Sequence, residues 1–445
     1  MGRGPRVIVV GAGIAGLVAA RRLAAAGAAV TVLEAADRVG GRMTSETVDG
    51  YVIDRGAQFL SRAYEQLPGL VRETGLRAAW RPTSPYAAVV RDGAPRRIRY
   101  GNPLSVTTGG LLRPRELLAL ARHLAALRRH VRGRSLTDYG AWAPFDDRDA
   151  AGWLADDTVP AVADYFYEPM LQGFYFQPLH GTSRALAMAM AAFGYRRPRT
   201  MTVEGGIGRI PEALADPLDV RTGHPVTGLA LGADGAHVTT PEGGFEGDHV
   251  VLAAPAHTAA ELLGTQATPA EADLLACTYS ATATLMLGTA RTWRPPDALR
   301  DVYGVLLPER ERQDVAALSV EGNKSPDRTA GRGELLGVFL TGDAAERLRA
   351  HGDADVVTAV LPEVERRLPG IGDAVTTAHV VRWPAAEPRS PVGRARAVAA
   401  YRRTPPHGRP LILAGDYTGL PWTDSAAATG AWAASRLLEP RSARR

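Results

Sequence analysis

Two chemically important residue types are almost missing from this sequence. It has one cysteine, Cys277, and one lysine, Lys324, among 445 residues. A single cysteine excludes a disulfide within the chain, which fits the cytoplasmic location that we expect. Arginine therefore carries nearly all of the positive charge, and the net charge is +5 at pH 7. Because the arginines are not interleaved with aromatic residues, we predict no nucleic-acid partner.

Long apolar runs and repetitive segments are also missing. No stretch reaches the roughly 18 consecutive apolar residues that a membrane-spanning helix needs, so we predict no integral membrane segment. A content of 45% hydrophobic and 22% charged residues is typical of a globular protein. The length allows two or three domains or one large composite. The sequence predicts no metal site and does not predict an oligomeric state.

A strand, a glycine-rich turn, a helix and a second strand are predicted near the start of the chain. Val7–Val10 is a run of β-branched residues, the signature of a strand buried on both faces. The motif G-x-G-x-x-G begins directly after it at Gly11, and an alanine-rich helical stretch follows to about Ala26. Val30–Leu33 is the second strand, and Glu34 ends it. This order is typical of a dinucleotide-binding unit.

The glycines of this motif and the acid that follows have separable physical roles. Gly11 permits the tight turn out of the strand, Gly13 lets a pyrophosphate approach the backbone, and Gly16 lets the helix pack closely on the sheet. The helix N-terminus presents free N–H groups and a partial positive charge to phosphates. Glu34 can accept hydrogen bonds from ribose hydroxyls, and it would repel a 2′-phosphate, which disfavours NADP.

The residues that follow this unit resemble a known family. They read AADRVGGRMTS and are followed by DRGAQF from Asp54. With the glycine motif, this span resembles the flavin amine oxidase superfamily, which includes monoamine and polyamine oxidases, protoporphyrinogen oxidases and carotenoid desaturases. The resemblance implies FAD as the dinucleotide, with Arg42 against its diphosphate, where a guanidinium can bind phosphate oxygens in bidentate fashion. It implies FAD contacts in this part of the chain from Gly11, Gly13, Ile14, Ala15, Gly16, Glu34, Ala35, Gly41, Arg42, Gly56, Ala57 and Gln58.

Two later segments resemble the same family. By this resemblance, Val226 contacts the adenine through its backbone. Leu411–Ala414 reads as a buried strand, and Gly415 and Asp416 follow it before a helix of small residues. The resemblance implies that Asp416 meets the ribityl chain or the diphosphate.

The N-terminus of this last helix is expected near Ser425, Ala426 and Ala427. By the resemblance, their N–H groups point at the flavin pyrimidine, where a helix dipole stabilises negative charge near N1 of a reduced flavin. Ser425 stands where the family often has glycine, and its small size should preserve the contact. No histidine or cysteine occurs from Gly408 to Arg445, so we predict non-covalent FAD.

The predicted fold class is α/β with an α+β part. A Rossmann-type FAD-binding domain of the glutathione-reductase-like kind would be assembled from residues 1–66, 203–268 and 404–445. A substrate-binding lobe of helices and antiparallel sheet, formed by residues 67–202 and 269–403, would be inserted between these segments.

The segment from Asp164 to Pro178 is rich in aromatic residues and has two interpretations. It is either ordinary core or part of a pocket for a flat, apolar substrate. Under the second interpretation Phe174, Tyr175 and Trp422 line the substrate pocket.

The predicted function is that of an FAD-dependent oxidoreductase. It would oxidise or desaturate a small apolar or heterocyclic metabolite by hydride transfer to flavin N5. Dioxygen is the expected electron acceptor, since no second G-x-G-x-x-G provides for NAD(P)H. No catalytic residue is predicted.

Three alternatives stay open. Monoamine and polyamine oxidases often keep a lysine near flavin N5, in a strand like Ser280–Leu287, which has none. Lys324 lies in EGNKSPDR, which we interpret as a loop. This favours the protoporphyrinogen-oxidase-like or desaturase-like branch. The alternatives are therefore protoporphyrinogen or coproporphyrinogen oxidation, amine oxidation at a C–N bond, and a non-catalytic prenyl-protein-binding chaperone of the same fold.

Overall fold

The computed structural model describes residues 4–102, 105–403 and 409–439. Its strands are β1 (Arg6–Val10), β2 (Ala29–Leu33), β3 (Ser45–Val48), β4 (Tyr51–Asp54), β5 (Leu60–Ser61), β6 (Trp80–Pro82), β7 (Tyr86–Arg91), β8 (Ala94–Arg99), β9 (Thr200–Val203), β10 (Asp219–Arg221), β11 (Gly228–Leu231), β12 (Ala236–Thr240), β13 (Gly243–Gly247), β14 (His249–Leu252), β15 (Thr282–Thr289), β16 (Val302–Leu306), β17 (Val315–Val320), β18 (Leu335–Leu340), β19 (Val375–Trp383) and β20 (Leu411–Leu413).

Helices lie between and after these strands. They are α1 (Ile14–Ala25), α2 (Leu67–Glu73), α3 (Ser105–Thr108), α4 (Pro114–Val131), α5 (Ala150–Asp157), α6 (Pro160–Val162), α7 (Glu168–Tyr175), α8 (Arg184–Tyr195), α9 (Arg209–Ala215), α10 (Ala256–Leu263), α11 (Pro269–Leu275), α12 (Glu321–Lys324), α13 (Gly342–Arg347), α14 (Asp353–Glu365), α15 (Ile371–Ala374), α16 (Arg394–Arg403) and α17 (Thr423–Leu438). A π-helical turn, Ala163–Tyr167, joins α6 to α7. Among the described residues, none of the helices combines the length and the apolar character that crossing a membrane requires.

A five-stranded parallel sheet brings together distant parts of the chain. Its strand order is β10-β2-β1-β14-β20, and its pairings are parallel. β1 is buried along its length except at Arg6, as its β-branched residues predict. The predictions of β1, α1, β2 and β20 from the sequence are confirmed.

Helices α1 and α17 pack together against this sheet. Their buried residues share one apolar cluster with Val9, Val251 and Ile412 of the strands. The crossing is close at Gly430, where an added Cβ would lie 2.0 Å from the carbonyl oxygen of Ala15. Such an approach of two backbones is possible only where one side chain is missing.

A second, seven-stranded sheet has the order β19-β15-β18-β17-β16-β7-β8. Its pairings are antiparallel except for β16 with β7. β7 and β8 form a hairpin, and Asp92 and Gly93 at its tip have positive φ angles of 54° and 74°, as a tight hairpin turn requires. Helix α14 packs Val356, Val360 and Val364 on the sheet.

Helices α4 to α8 form a largely apolar cluster that includes part of the aromatic segment. Tyr165 and Tyr167 belong to this core, whereas Phe174 and Tyr175 are half-buried. The first part of the segment is therefore core, and the pocket interpretation of the second part stays a prediction. The domain boundaries stay a prediction, although the parallel sheet draws its strands from all three segments that we assigned to the FAD-binding domain.

The interpretation of EGNKSPDR as a loop is wrong. Its first four residues form α12, and Lys324 is completely buried at the end of this helix. The error arose because Gly, Asn, Ser and Pro are typical turn formers, while the tertiary structure supplies buried acids that require the lysine to lie inside.

Candidate functional site

The glycine motif forms an open loop between β1 and α1. Gly11 has a φ of 103°, and an added Cβ would lie 2.9 Å from the carbonyl oxygen of Ala253. At Gly16 a Cβ would lie 2.0 Å from the carbonyl oxygen of Gly11, so a larger residue would separate the helix from the turn. Gly13 differs, since a Cβ there would meet nothing within 4 Å. The backbone of Gly13 therefore borders free space in which a ligand can approach.

A second glycine pair closes this loop from the other side. The N–H of Gly40 donates to the carbonyl of Ala12 at 2.8 Å, and a Cβ on Gly41 would lie 3.6 Å from the Cα of Gly13. α1 begins at Ile14, so the N–H groups of Ile14, Ala15 and Gly16 belong to the first helical turn and have no partner within the helix. This is the arrangement that binds phosphate at a helix N-terminus.

Glu34 lies at the end of β2, where the sequence predicted the ribose contact. Its carboxylate accepts hydrogen bonds from the N–H groups of Ala12 at 2.7 Å and Ala36 at 2.9 Å. A carboxylate has further lone pairs after two such bonds, and the side chain is half-buried. Ala35 beside it is exposed.

Val226 is held near Glu34 by backbone hydrogen bonds. The N–H of His224 donates to the carbonyl of Glu34 at 2.9 Å, and that of Gly223 donates to the carbonyl of Ala36 at 2.8 Å. Val226 comes two residues after His224 and is half-buried. The structure therefore brings the two predicted adenosine contacts to the same edge of the parallel sheet.

Arg42 and Asp416, predicted as two separate FAD contacts, form an ion pair at 2.7 Å. Arg42 also donates to the carbonyl of Ala386 at 2.7 Å. Burial opposes the charge of Arg42, but Asp416 raises the pKa of the guanidinium above its usual value. The pair joins the first motif of the chain to the last, a relation that the sequence alone did not indicate.

The predicted flavin turn, Gly56 to Gln58, rests on the backbone of Arg42. A Cβ on Gly56 would lie 2.2 Å from the carbonyl oxygen of Arg42, and the N–H of Ala57 donates to the same oxygen at 2.9 Å. Gln58 is held through its side chain and its backbone. Lys324 donates to its side-chain oxygen at 3.2 Å, and the Tyr303 hydroxyl donates to its backbone carbonyl at 3.2 Å.

A buried ionic cluster lies behind this turn. Lys324 is 2.7 Å from Asp54 and 3.1 Å from Glu321, and Arg328 is 3.1 Å from Asp54. Burial alone would raise the pKa of Asp54, but Lys324 and Arg328 hold it below its usual value. Because two acids face two bases, the cluster is neutral as a whole, which lowers the cost of burying it.

The N-terminus of α17 lies two residues earlier than predicted. The helix begins at Thr423, and the N–H of Ala426 donates to the carbonyl of Trp422 at 3.0 Å. The N–H groups of Ala426 and Ala427 are therefore unavailable to a ligand, and those of residues 423–425 take their place in the first turn. Sequence reasoning set this boundary too late because a helix start is the least regular part of the element.

Ser425 has a structural role that the sequence did not predict. Its hydroxyl donates to the carbonyl of Thr137 at 2.9 Å and accepts from the N–H of Leu420 at 2.8 Å. This arrangement fixes the loop that leads from Asp416 into the helix.

Phe174, Tyr175 and Trp422 belong to a connected group of aromatic rings. Tyr175 and Trp422 have their ring centroids 6.1 Å apart, and Phe174 lies 5.4 Å from Phe59. We call the group the aromatic cluster; its members are Phe59, Tyr64, Tyr100, Phe174, Tyr175, Phe193 and Trp422. Only three of these rings were predicted, because the others are isolated aromatic residues in the sequence.

Glu387 was also missed by sequence reasoning. It lies between Ala386, which accepts the hydrogen bond of Arg42, and Pro388. Burial raises the pKa of Glu387 to about 8, against the lowering effect of Arg42. A single acid between alanine and proline carries no motif, so no sequence signal could have identified it.

These residues fit a bound FAD at the edge of the parallel sheet. The free space beside Gly13 and the N-terminus of α1 match the phosphates of a dinucleotide. The N-terminus of α17 matches the flavin end, and the acid at the end of β2 matches the ribose. The carboxyl ends of β1 and β20 lie on one edge, since both pair in parallel with β14. α1 and α17 therefore both begin at this edge, after β1 and β20, which are separated by β14.

Comparison with known proteins finds similar proteins both by sequence and by fold. The model of the family described as flavin containing amine oxidoreductase matches residues 14–438. An L-amino acid dehydrogenase from Synechocystis sp. is 26% identical over 270 residues, which cover 57% of this chain and 57% of that protein. The chain thus spans little more than half of that relative. A putrescine oxidase from Kocuria rosea is 59% identical over 70 residues, or 16% of this chain and 15% of that one.

Among solved structures, a putative protoporphyrinogen oxidase from Exiguobacterium sp. has a similar fold. The TM-score is 0.76 at 20% identity, and the superposition covers 97% of this chain and 98% of that one. At this level of identity the likeness concerns the fold alone.

Proposed function

The chain belongs to the flavin containing amine oxidoreductase family, and from this premise we propose that it is an FAD-dependent oxidoreductase acting on a small organic substrate. The observation that carries the proposal is the convergence of the first and last motifs. α1 and α17 begin at one edge of the parallel sheet, and Arg42 pairs with Asp416 at that edge. A dinucleotide needs both ends of its site, and the two motifs supply them at one edge of the sheet.

The protein groups have distinct tasks in this proposal. The N–H groups of the first turn of α1 bind the diphosphate, with Gly13 leaving room for it. Glu34 and the backbone near Val226 bind the adenosine half. The first turn of α17 favours negative charge at the flavin end through its helix dipole.

The aromatic cluster forms the substrate side of the site. Its half-buried rings offer an apolar surface that excludes water and positions a substrate. When bound, FAD supplies the hydride acceptor for a C–H bond of the substrate. We propose dioxygen as the final electron acceptor and non-covalent binding of the flavin.

Porphyrinogen oxidation is a second candidate. The flat aromatic rings favour it, and they would suit a large heterocycle. Against it, the charge of Arg42 is already balanced by Asp416, so this arginine is not available for a propionate. Anaerobic bleaching of the flavin by porphyrinogens, but not by amines, would support this candidate over the others.

The variant Gly13→Ala tests the proposal without disturbing the fold. A Cβ at this position meets nothing within 4 Å, and the φ of −70° is ordinary, so the variant should fold with unchanged stability. The methyl group would occupy space proposed for the diphosphate, and we expect the dissociation constant for FAD to rise at least about tenfold. The measurement is FAD content after dialysis and FAD titration of the apoprotein.

Gly194→Ala is the matched control. A Cβ there also meets nothing within 4 Å, but the residue lies at the end of α8, away from the motif. FAD affinity should be unchanged. If the wild-type protein purifies without flavin and cannot be reconstituted, or if Gly13→Ala binds FAD like the control, the proposed site is wrong.

A further inference from the structure

A surface cleft of about 510 Å³ lies where the tip of the β3–β4 hairpin meets one end of the seven-stranded sheet. We call it the hairpin cleft. Its walls come from the hairpin turn, the end of β15, the residues before β18 and the start of β19, and they include Asp49, Tyr51, Thr289, Arg291, Arg332 and Thr377. None of its lining residues is a predicted FAD contact. The cleft is therefore separate from the proposed flavin site.

The hairpin and the sheet are joined by contacts on both sides of the cleft. The hydroxyl of Thr377 in β19 donates to the carboxylate of Asp49 in the hairpin turn. Below the cleft, Tyr51 of β4 shares an apolar cluster with Met286 of β15 and Leu335 of β18. The walls of the cleft are thus held by packing between the two elements.

Tyr51 is an almost completely buried residue whose polar end has no partner. Its exposed fraction is 5%, and its ring covers Gly288, where an added Cβ would lie 2.7 Å from a ring carbon. Its hydroxyl has no hydrogen-bond partner within residues 4–102, 105–403 and 409–439. Buried tyrosine hydroxyls usually find a partner. Because Tyr51 lines the cleft, a ligand there can supply the missing one.

Arg332 lies across the hairpin turn at the edge of the cleft. An added Cβ on Gly50 would lie 2.6 Å from Cζ of Arg332, so the guanidinium rests on the one position of the turn that has no side chain. Arg291 lines the cleft at the end of β15. In the part of the chain that the structure describes, neither guanidinium has a hydrogen-bond or salt-bridge partner.

The charges that line the cleft have a positive excess. Two arginines face one acid, Asp49, which already accepts a hydrogen bond from Thr377. The carboxylate of Glu334 lies elsewhere, beside Gly322 of α12, where an added Cβ would be 3.1 Å from it. Guanidinium groups bind oxyanions in bidentate fashion. Two of them match a phosphate monoester, which carries a charge of about −1.5 to −2 at pH 7.

We propose that the hairpin cleft is a second ligand site, in which Arg291, Arg332 and the hydroxyl of Tyr51 bind the phosphate group of a small soluble phosphate monoester. The volume lies in the range of small-molecule pockets, about 300–1,000 Å³, and leaves room for an organic part beside the phosphate. A lipid-borne phosphate fits less well, because no exposed large hydrophobic residue lines the cleft. The site uses no residue of the flavin site and does not depend on the proposed function.

Phenyl phosphate and benzenesulfonate test the inference by calorimetric titration of the holoenzyme saturated with FAD. FAD then fills its own site, so the probes cannot bind at the diphosphate position. The probes have similar shapes, but the sulfonate carries one negative charge and the phosphate nearly two at pH 7.5. We expect one phenyl phosphate per chain, with a dissociation constant at least about tenfold lower than that of benzenesulfonate. Equal affinity, tighter binding of the sulfonate, or no saturable binding of phenyl phosphate would overturn the inference.

Three variants locate the binding in the cleft. Arg291→Met and Arg332→Met change exposed residues, and each should raise the dissociation constant for phenyl phosphate at least about tenfold. Tyr51→Phe keeps the buried ring and should raise it about fivefold through the lost hydrogen bond. If either arginine variant binds phenyl phosphate like the wild type, the inference is wrong.

Arg115→Met is the matched control for the arginine variants. Arg115 is an exposed arginine of α4 outside the cleft, and among the described residues its side chain has no hydrogen-bond or salt-bridge partner. The net charge changes equally, and the affinity for phenyl phosphate should stay unchanged. An equal loss of affinity in this control would mean that the probe responds to overall charge, which contradicts a site in the cleft.

Two further arms separate the sources of failure. Wild-type protein should not sediment with phosphatidylcholine vesicles that contain phosphatidic acid, and sedimentation that Arg332→Met abolishes would overturn the assignment to a soluble ligand. A protein that never binds FAD contradicts the proposed function, while its flavin-free form can still bind phenyl phosphate in the cleft. A yellow, active protein that binds no phenyl phosphate contradicts only the hairpin cleft.

Discussion

Lys324, the only lysine of the chain, acts as a structural cation. It is completely buried and shared by Asp54 and Glu321, and it also donates to the side chain of Gln58. A buried ion pair adds little net stability compared with an apolar replacement of the whole cluster, but removal of one partner leaves an uncompensated charge. Lys324 therefore matters for the position of the predicted flavin turn.

Replacement of Lys324 by methionine should be strongly destabilising. Asp54 and Glu321 would keep only Arg328, and we expect a loss of about 3–5 kcal/mol in the free energy of unfolding. Urea denaturation followed by circular dichroism measures it.

Arg349→Met is the comparison for this variant. Arg349 pairs with Glu346 at 3.2 Å, with both side chains more than 60% exposed, so its loss should cost less than about 1 kcal/mol. Similar losses in the two variants would contradict the prediction that the buried lysine stabilises the fold far more than an exposed ion pair does.

At the scale of elements, the crossing of α1 and α17 determines the shape of the site. The missing side chain of Gly430 lets the two helices approach until backbone meets backbone at Ala15. Both helices direct their first turns to the edge where Arg42 and Asp416 meet. The geometry at that edge therefore depends on Gly430, which lies about two turns into α17.

A methyl group at this crossing should separate the helices. In Gly430→Ala the new Cβ would lie 2.0 Å from the carbonyl oxygen of Ala15, so α17 must shift. We expect a loss of about 1–3 kcal/mol of stability and weaker FAD binding, measured by thermal unfolding and FAD titration. Gly194→Ala serves again as the control, and unchanged FAD affinity in Gly430→Ala would show that the crossing does not control the site.

At the scale of the whole molecule, the parallel sheet joins strands that lie far apart in the chain. β1 and β2 come from its start, β10 and β14 from its middle, and β20 from its end. A ligand that contacts all three segments binds the folded state and not the unfolded chain. Its binding energy therefore adds directly to the stability of the fold.

FAD should accordingly stabilise the whole protein against unfolding. With free FAD at about 100 times its dissociation constant, the free energy of unfolding of the apoprotein should rise by about 2.7 kcal/mol. Thermal unfolding of the apoprotein with and without FAD measures it, and Gly13→Ala should show a smaller rise at the same FAD concentration. An increase confined to a partial, early transition would mean that FAD holds only part of the sheet.

Family and cofactor class could be predicted from the sequence, because they depend on local patterns. A β-branched strand, three glycines, an acid and a GGR segment follow one another in a short span, and each encodes a local backbone requirement. The family assignment, the FAD cofactor and the principal strands of the parallel sheet are confirmed. The individual contacts to FAD and the domain boundaries stay predictions.

The tertiary structure alone decided which distant residues share a site. The pair of Arg42 with Asp416, the burial of Lys324, the position of Glu387 and the aromatic cluster all join residues far apart in the chain. Such residues carry no periodic or local signal, since their partners are chosen by packing and by the need to satisfy buried charge. Sequence determined that the chain binds a flavin, and packing determined what surrounds it.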